Sequence, residues 1–321
     1  MTILHSNVDT HDVVELESDD LRVRIDVECG AHIFSIIDRA TGDEVLFQDP
    51  RGLAGHVVGG GYELFPNAGP VSRAPHVPKH GDIRSARWGV LRADATPAGG
   101  IISVSAESAA LPLAVTRTMT LDGRRLRVEE TIVNRSDDPT PYLWGHHVTF
   151  GARIAAAAAI TVASRDIVSL SLFAPTASVI HPDTDGASLD DLPHRDGGRV
   201  DLTTFPVAPA AERLFARSLK DGHASVVGER LRAELSWDVA AFPALWIWLE
   251  NCASQGEPFR GATTGLALEP QASYRPTLEA ALREGVAPRL APRASADAWL
   301  ELTIEPSRCP VSASTGGDGA E

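Results

Sequence analysis

Residues 114–133, AVTRTMTLDGRRLRVEETIV, alternate apolar and polar side chains on both sides of an Asp-Gly pair. Alternation with a period of two is the pattern of a half-buried β-strand. The pair Asp122-Gly123 supplies the positive φ angles of a tight primed turn, so the two halves are expected to form an antiparallel hairpin. Similar runs, such as Leu21-Arg-Val-Arg-Ile-Asp-Val27, recur through most of the chain and predict an all-β protein.

One segment departs from this pattern. Pro276-Thr-Leu-Glu-Ala-Ala-Leu-Arg-Glu-Gly285 combines strong helix formers with a proline at its start and a glycine at its end, which predicts a short helix. No linker rich in proline, glycine or serine divides the middle of the chain. We therefore predict a single domain at 13–306, a flexible amino terminus at 1–12 and a disordered tail at 307–321, where the residues are small and polar.

The predicted architecture is a large twisted antiparallel β-sandwich with one or two short helices, because stacked sheets bury each other's apolar faces. Hydrophobic residues make up 43% of the 321-residue chain, and no apolar run is long enough for a membrane span. A net charge of -14 argues against nucleic acid as a partner. The chain starts without the features of a secretory signal, and its three cysteines cannot all pair, so a cytoplasmic location is expected.

Three further segments carry candidate proton-transfer residues. They are Lys79-His-Gly-Asp-Ile-Arg-Ser-Ala-Arg-Trp88, Tyr142-Leu-Trp-Gly-His-His-Val-Thr-Phe-Gly151 and Leu266-Ala-Leu-Glu-Pro-Gln-Ala-Ser-Tyr-Arg-Pro276. A carboxylate and an imidazole suit acid–base catalysis, because burial and mutual influence can bring both pKa values close to the working pH. Such a pair, held in strand-like apolar frames, indicates acid–base chemistry on a sugar.

The order of these segments resembles that of the aldose 1-epimerase (galactose mutarotase-like) superfamily, whose members carry a His-Gly element, a His-x-x-Phe element and a late catalytic Glu. The resemblance covers most of the chain and implies a twisted β-sandwich with an open sugar cleft. It implies that Glu269 is the catalytic base, that His147 protonates the ring oxygen and that His80 positions the substrate. Such an enzyme interconverts the α and β anomers of a hexose and requires no metal or organic cofactor.

The chain departs from the family pattern at two positions. Val148 stands where a proline is usual, and Asp82 follows His80-Gly81 where an aromatic residue is usual. The neighbouring His146 leaves the register open, because adjacent strand residues face opposite sides of a sheet. Only one of the two adjacent histidines is therefore expected to face the cleft.

Residues around these motifs are candidates for binding the sugar. The turn-rich segment 59–70 can bring short polar groups near a ligand, and tryptophans in segment 244–250 can stack on a pyranose. Segment 71–90 contains four cations and one acid. Its cations could bind a phosphate, a carboxylate or a sulfonate on the sugar. The candidate substrate-binding residues are Arg73, Asp82, Arg84, His146, Glu63, Asn67 and Trp248.

Two other classes of function stay open from the sequence. A non-catalytic carbohydrate-binding or sugar-sensing protein could share the sandwich, because fold does not imply function, although the joint presence of Glu269 and His147 favours an enzyme. A metal-dependent enzyme could use His76, His80, His146 and His147, but the first two lie on a proline-rich loop that does not preset both rings toward one ion. The expected partner is a neutral or anionic hexose, and the expected assembly is a monomer or a homodimer.

Overall fold

The computed structural model describes residues 3–53 and 59–307. Its strands are, in chain order, β1 (Ile3–Val8), β2 (His11–Glu17), β3 (Leu21–Asp26), β4 (His32–Asp38), β5 (Gly60–Leu64), β6 (Ser72–Arg73), β7 (His76–Val77), β8 (Gly89–Thr96), β9 (Gly99–Glu107), β10 (Leu113–Asp122), β11 (Arg125–Asn134), β12 (Thr140–Pro141), β13 (Gly145–Gly151), β14 (Ala159–Val162), β15 (Ile167–Val168), β16 (Leu192–Pro193), β17 (Arg199–Val200), β18 (Ala210–Ala216), β19 (His223–Val227), β20 (Leu231–Trp237), β21 (Ala244–Asn251), β22 (Thr264–Gln271), β23 (Arg289–Leu290) and β24 (Ser295–Pro306). Its helices are α1 (Ala152–Ala155) and α2 (Leu278–Arg283), and a 3-10 turn covers Ile83–Ser85.

Two large antiparallel sheets form the body of the described chain. One has ten strands in the order β1-β2-β3-β4-β5-β13-β22-β21-β18-β15, and the other has eight in the order β14-β19-β20-β24-β11-β10-β9-β8. Short pairs, β6-β7, β12-β23 and β16-β17, lie outside them. The predicted all-β sandwich with short helices is confirmed.

The hairpin expected around Asp122-Gly123 is present. β10 and β11 pair in one continuous register that ends at Asp122 opposite Arg125, and Gly123 has a φ of 58°. Buried and exposed side chains alternate along much of both strands, as expected for strands with one face toward a core. The local pattern of the sequence therefore sets this register.

Aliphatic side chains fill the interior between the two sheets. Leu245, Ile247 and Leu249 of β21, with Leu266 and Leu268 of β22, belong to the main buried cluster, which also contains the inward side chains of the eight-stranded sheet. Each buried leucine or isoleucine contributes roughly 1.5–3 kcal/mol. Residues that alternate with these five point to the opposite face of the ten-stranded sheet, and that face carries the candidate site.

The predicted helix in segment 276–285 is confirmed as α2. The Thr277 hydroxyl accepts a hydrogen bond from the Ala280 N–H at 3.1 Å and so caps the helix. No helix within the described ranges has the length and apolar composition needed to cross a bilayer.

Both chain ends were predicted to be flexible or disordered. At the amino terminus β1 pairs with β2 along its whole length, and flexibility of residues 1–12 stays a prediction. The predicted disordered tail lies outside the described residues from position 308 onward. The single domain at 13–306 also stays a prediction.

Candidate active site

A row of side chains crosses the middle of the ten-stranded sheet on the face that turns away from the eight-stranded sheet. Tyr62 of β5 is the register partner of His147 on β13, and Trp246 of β21 is the partner of Glu269 on β22. Between β13 and β22, Gly145 pairs with Gln271 and Val148 pairs with Leu268. This register places His147 opposite Glu269. Strand pairing thus brings the two predicted catalytic residues together from positions far apart in the chain.

The two side chains are in direct contact. His147 Nε2 lies 3.3 Å from Glu269 Oε1, and the other ring nitrogen, Nδ1, lies 2.9 Å from the Thr149 hydroxyl. The Tyr62 ring stacks on the imidazole, with the ring centroids 4.8 Å apart and the planes 15° apart. The imidazole is therefore held on three sides and keeps one nitrogen directed to the carboxyl group.

Burial shifts the pKa values of both groups toward their neutral forms. It raises the pKa of Glu269 to about 8, although the nearby Arg213 acts in the opposite direction. It lowers the pKa of His147 well below its usual value, and the charges of Arg84 and Arg213 lower it further. At neutral pH the Glu269 carboxyl group is therefore mostly protonated, and the His147 imidazole is neutral.

The His-Gly element forms a left-handed turn that presents His80 to the same place. The φ angle is 64° at His80 and 78° at Gly81, a region that residues with a β-carbon rarely adopt. A Cβ at position 81 would lie 1.9 Å from the Phe65 carbonyl oxygen. Glycine is therefore required at position 81 for the turn that places the preceding histidine.

The hydrogen bonds of His80 define its role. Its Nδ1 lies 2.6 Å from the Ala68 carbonyl oxygen, which can only accept, so Nδ1 carries a proton. Burial, with Arg84 and Lys79 nearby, lowers the pKa of His80 to about 3. The ring is neutral, and its Nε2 is an acceptor that can receive a hydroxyl hydrogen from a ligand.

These groups line a cavity of about 290 Å³, near the lower end of the size range of small-molecule pockets. Trp246, Trp248, Phe173 and Phe259 give it aromatic walls. Such walls suit the apolar face of a pyranose, as predicted for Trp248. Three larger surface concavities, of about 360, 560 and 760 Å³, have no histidine in their linings.

No protein-family model and no curated protein matches this sequence. Solved structures do match its fold. A protein from Synechocystis sp. PCC 6803 superposes with a TM-score of 0.71 and 20% identity, over 95% of this chain and 99% of that chain. A galactose mutarotase-like protein from Clostridium acetobutylicum gives a TM-score of 0.70 and 16% identity, with coverage of 95% and 99%. A galactose mutarotase-like protein from Lactobacillus casei gives 0.64 and 16%, with coverage of 91% and 100%.

The chain has the galactose mutarotase-like fold. The resemblance inferred from three short motifs is thereby confirmed at the level of fold.

Within this mutarotase-like fold the adjacent histidines face opposite sides of β13. His146 is the register partner of Glu63, and its Nε2 lies 3.0 Å from Glu130 Oε2. Arg117 binds both of these carboxylates, at 2.5 Å each. All four side chains are at most 5% exposed. They form a buried network on the inter-sheet side, so the predicted sugar contacts of His146 and Glu63 are not found in the cavity lining.

Two other side chains that were predicted to bind the sugar form hydrogen bonds to main-chain groups instead. The Asp82 carboxylate accepts hydrogen bonds from the Ser108 hydroxyl and the Ala110 N–H, both at 2.9 Å. The Asn67 side chain donates to the Pro70 carbonyl oxygen at 2.7 Å and accepts from the Leu278 N–H at 2.9 Å. Neither side chain lines the cavity. Both fix the loops that surround it.

The cations of segment 71–90, which were predicted to bind an anionic group on the sugar, lie in different environments. Arg73 is exposed and lies outside the cavity lining. Arg84 covers the outer face of the Tyr62 ring, with Cζ 4.3 Å from the centroid, which is a cation–π contact. Lys79 lines the cavity. Two residues of the site, Tyr62 itself and a further cation, Arg213, were not predicted from the sequence.

The four histidines of the alternative metal-dependent enzyme are divided, because His146 and His147 lie on opposite faces of the sheet. Within residues 3–53 and 59–307, no group of three or more His, Cys, Asp or Glu side chains is arranged to hold a metal ion.

Proposed function

We propose that the protein is an aldose 1-epimerase, or mutarotase, that interconverts the α and β anomers of a hexose or hexose derivative. The observation that carries the proposal is the contact of 3.3 Å between His147 and Glu269 on the wall of an aromatic cavity. Opening a pyranose ring requires one base at the C1 hydroxyl and one acid at the ring oxygen. The pair provides both groups within reach of one sugar.

In the proposed reaction, Glu269 as a carboxylate takes the proton from the C1 hydroxyl while the bond between C1 and the ring oxygen breaks. His147 as an imidazolium gives its proton to the ring oxygen. The product is the open-chain aldehyde with a hydroxyl on C5. Rotation about the C1–C2 bond presents the other face of the aldehyde, and reversal of both proton transfers closes the ring to the other anomer. His80 orients the substrate by accepting a hydroxyl hydrogen at Nε2.

The protonation state of Glu269 and His147 fits one stage of this cycle. A carboxylic acid at Glu269 and a neutral imidazole at His147 are the forms present directly after ring opening. They contain the same number of protons as the carboxylate and imidazolium that begin it. A single proton transfer within the pair therefore converts the resting site into the form that reacts with a cyclic sugar.

Two kinds of similarity support the proposal. The order of the His-Gly, His-x-x-Phe and late Glu motifs resembles the family, and galactose mutarotase-like proteins share the fold at low identity. The cytoplasmic location, the lack of a nucleic-acid or membrane partner, and the choice between monomer and homodimer stay predictions.

The test is anomer exchange measured by NMR magnetisation transfer on a panel of neutral, phosphorylated and acidic hexoses. We expect wild type to accelerate exchange of at least one sugar, and Glu269→Gln and His147→Ala each to lose about 100-fold or more. Glu229→Gln, at an exposed turn, controls for the loss of one negative charge. If folded wild type binds a sugar without exceeding the spontaneous exchange rate, the protein is a carbohydrate-binding protein and the proposal is wrong.

A further inference from the structure

Two cations line the cavity, and neither has a carboxylate partner within residues 3–53 and 59–307. They are Lys79, from the loop after β7, and Arg213, from β18. Arg213 uses one donor, Nη1, on the Phe173 carbonyl oxygen at 2.8 Å. The two side chains place two positive charges in one cavity of a chain whose net charge is -14.

The nearby acidic groups do not neutralise this pair. Glu269 interacts with Arg213, but a pKa of about 8 keeps the Glu269 carboxyl group mostly protonated at neutral pH. Glu257, on the cavity rim, is bound to Arg260 at 2.6 Å. Arg213 is half-buried, and burial lowers its pKa, which means that the cavity disfavours its unpaired charge, whereas Lys79 is exposed at the cavity mouth. An anion from outside the chain would remove this penalty.

The position of Arg213 indicates which part of a sugar would carry the anion. Phe215, two residues further along β18, is the register partner of Trp246, and Trp246 is the partner of Glu269. Two residues along a strand span about 7 Å. A group bound to Arg213 therefore lies beyond the far side of a pyranose ring whose C1 is at the acid–base pair.

We propose that the cavity takes an aldose with a phosphoryl group at the end remote from C1, and that Lys79 and Arg213 bind this group. A dianion matches two cations better than the single charge of a carboxylate does. Arginine supplies planar donors for phosphate oxygens, and lysine a compact charge. This inference rests on the proposed mutarotase function, because it takes Glu269 and His147 as the site of C1.

The bound phosphoryl group would also help catalysis. The charges of Arg84 and Arg213 contribute to the low pKa of His147. A dianion beside them offsets their effect and favours the imidazolium that protonates the ring oxygen. Neutral sugars of the same shape then react more slowly even at saturation, so that kcat changes together with KM.

The experiment compares glucose, glucuronate and glucose 6-phosphate by NMR anomer exchange, with calorimetric binding of inorganic phosphate measured in parallel. The variants are Lys79→Met and Arg213→Met. The control is Arg92→Met on β8, which removes one positive charge from an exposed site of the other sheet. We expect wild type to favour glucose 6-phosphate over glucose by about 100-fold in kcat/KM, and each cavity variant to lose about 10-fold or more of that preference. Arg92→Met should keep the wild-type rates with all three sugars.

The possible outcomes separate this inference from the proposed function. Preference for glucuronate over glucose 6-phosphate would overturn the phosphoryl assignment. Exchange of glucose as rapid as that of glucose 6-phosphate, with a ratio of kcat/KM values that Lys79→Met and Arg213→Met leave unchanged, would overturn the inference and leave the mutarotase proposal intact. Phosphate binding that is lost in both variants, without exchange of any sugar, would support the anion site and overturn the mutarotase proposal. Neither phosphate binding nor exchange would overturn both.

Discussion

Replacement of Glu269 by glutamine is expected to change how the stability of the protein depends on pH. The carboxyl group has a pKa of about 8 in the folded protein, against a reference value of 4.5. Between about pH 5 and pH 8 the folded protein keeps this proton while the unfolded chain has released it. Stability therefore falls as pH rises through this window. Each unit of pH corresponds to about 1.4 kcal/mol, and glutamine lacks this contribution because it does not ionise.

Urea unfolding at several pH values between about 5.5 and 7.5 measures the effect. Over these two units the free energy of unfolding of wild type should fall by roughly 3 kcal/mol relative to Glu269→Gln. Glu229→Gln, at an exposed turn, controls for the general effect of removing one negative charge. If wild type and Glu269→Gln differ by a constant amount across this range, Glu269 ionises like an exposed glutamate, and the argument for a stored proton is refuted.

Three further substitutions test other parts of the structure. Gly81→Ala should lower the free energy of unfolding by at least about 1–3 kcal/mol, because φ is 78° and the new Cβ would meet the Phe65 carbonyl oxygen; an unchanged thermal midpoint would contradict this. Arg117→Met should cost about 3–5 kcal/mol in urea unfolding, because it leaves the buried Glu130 carboxylate without its cation; a loss below about 1 kcal/mol would show that the network rearranges. Trp248→Ala should raise KM for the preferred sugar about 3- to 10-fold with little change in kcat, since it removes one aromatic wall; equal KM values would exclude stacking.

The fold class was predictable because its signals are local. The alternation in β10 and β11 and the Asp-Gly turn between them lie within residues 113–134, and the structure reproduces that hairpin. The order of strands in the ten-stranded sheet was not predictable in this way. β5, β13, β22 and β21 are neighbours in space but are separated by long stretches of chain. Sequence patterns do not state which strands pair.

In the candidate site, too, the residues in local motifs were predictable and those that depend on strand pairing were not. Glu269, His147 and His80 were identified from motifs, and the structure brings them to one cavity. Tyr62 and Arg213 were missed because their places in the site depend on strand pairing. The pair Glu212-Arg213 interrupts an apolar strand, but the sequence does not show which of the two faces the cavity.

Other polar candidates were assigned to the sugar although the structure uses them for the backbone. A carboxylate or an amide near a His-Gly turn can accept or donate to a sugar hydroxyl or to a peptide group, and the sequence is the same in both cases. Asp82 and Asn67 hold peptide groups. The adjacent histidines lie on opposite faces of β13, and His147 is the one in the cavity lining. The choice of His147 depends on the buried partners of His146, which lie on other strands.

Along β13, β21 and β22, side chains of the site alternate with side chains of the inter-sheet interior. Ile247 lies in the main core between Trp246 and Trp248, both of which line the cavity. Ligand preference and folding are therefore encoded at interleaved positions of the same strands. A lineage can exchange the cavity-facing residues for a new substrate while the core-facing ones continue to hold the sheets together, which suits a fold that is shared at 16–20% identity.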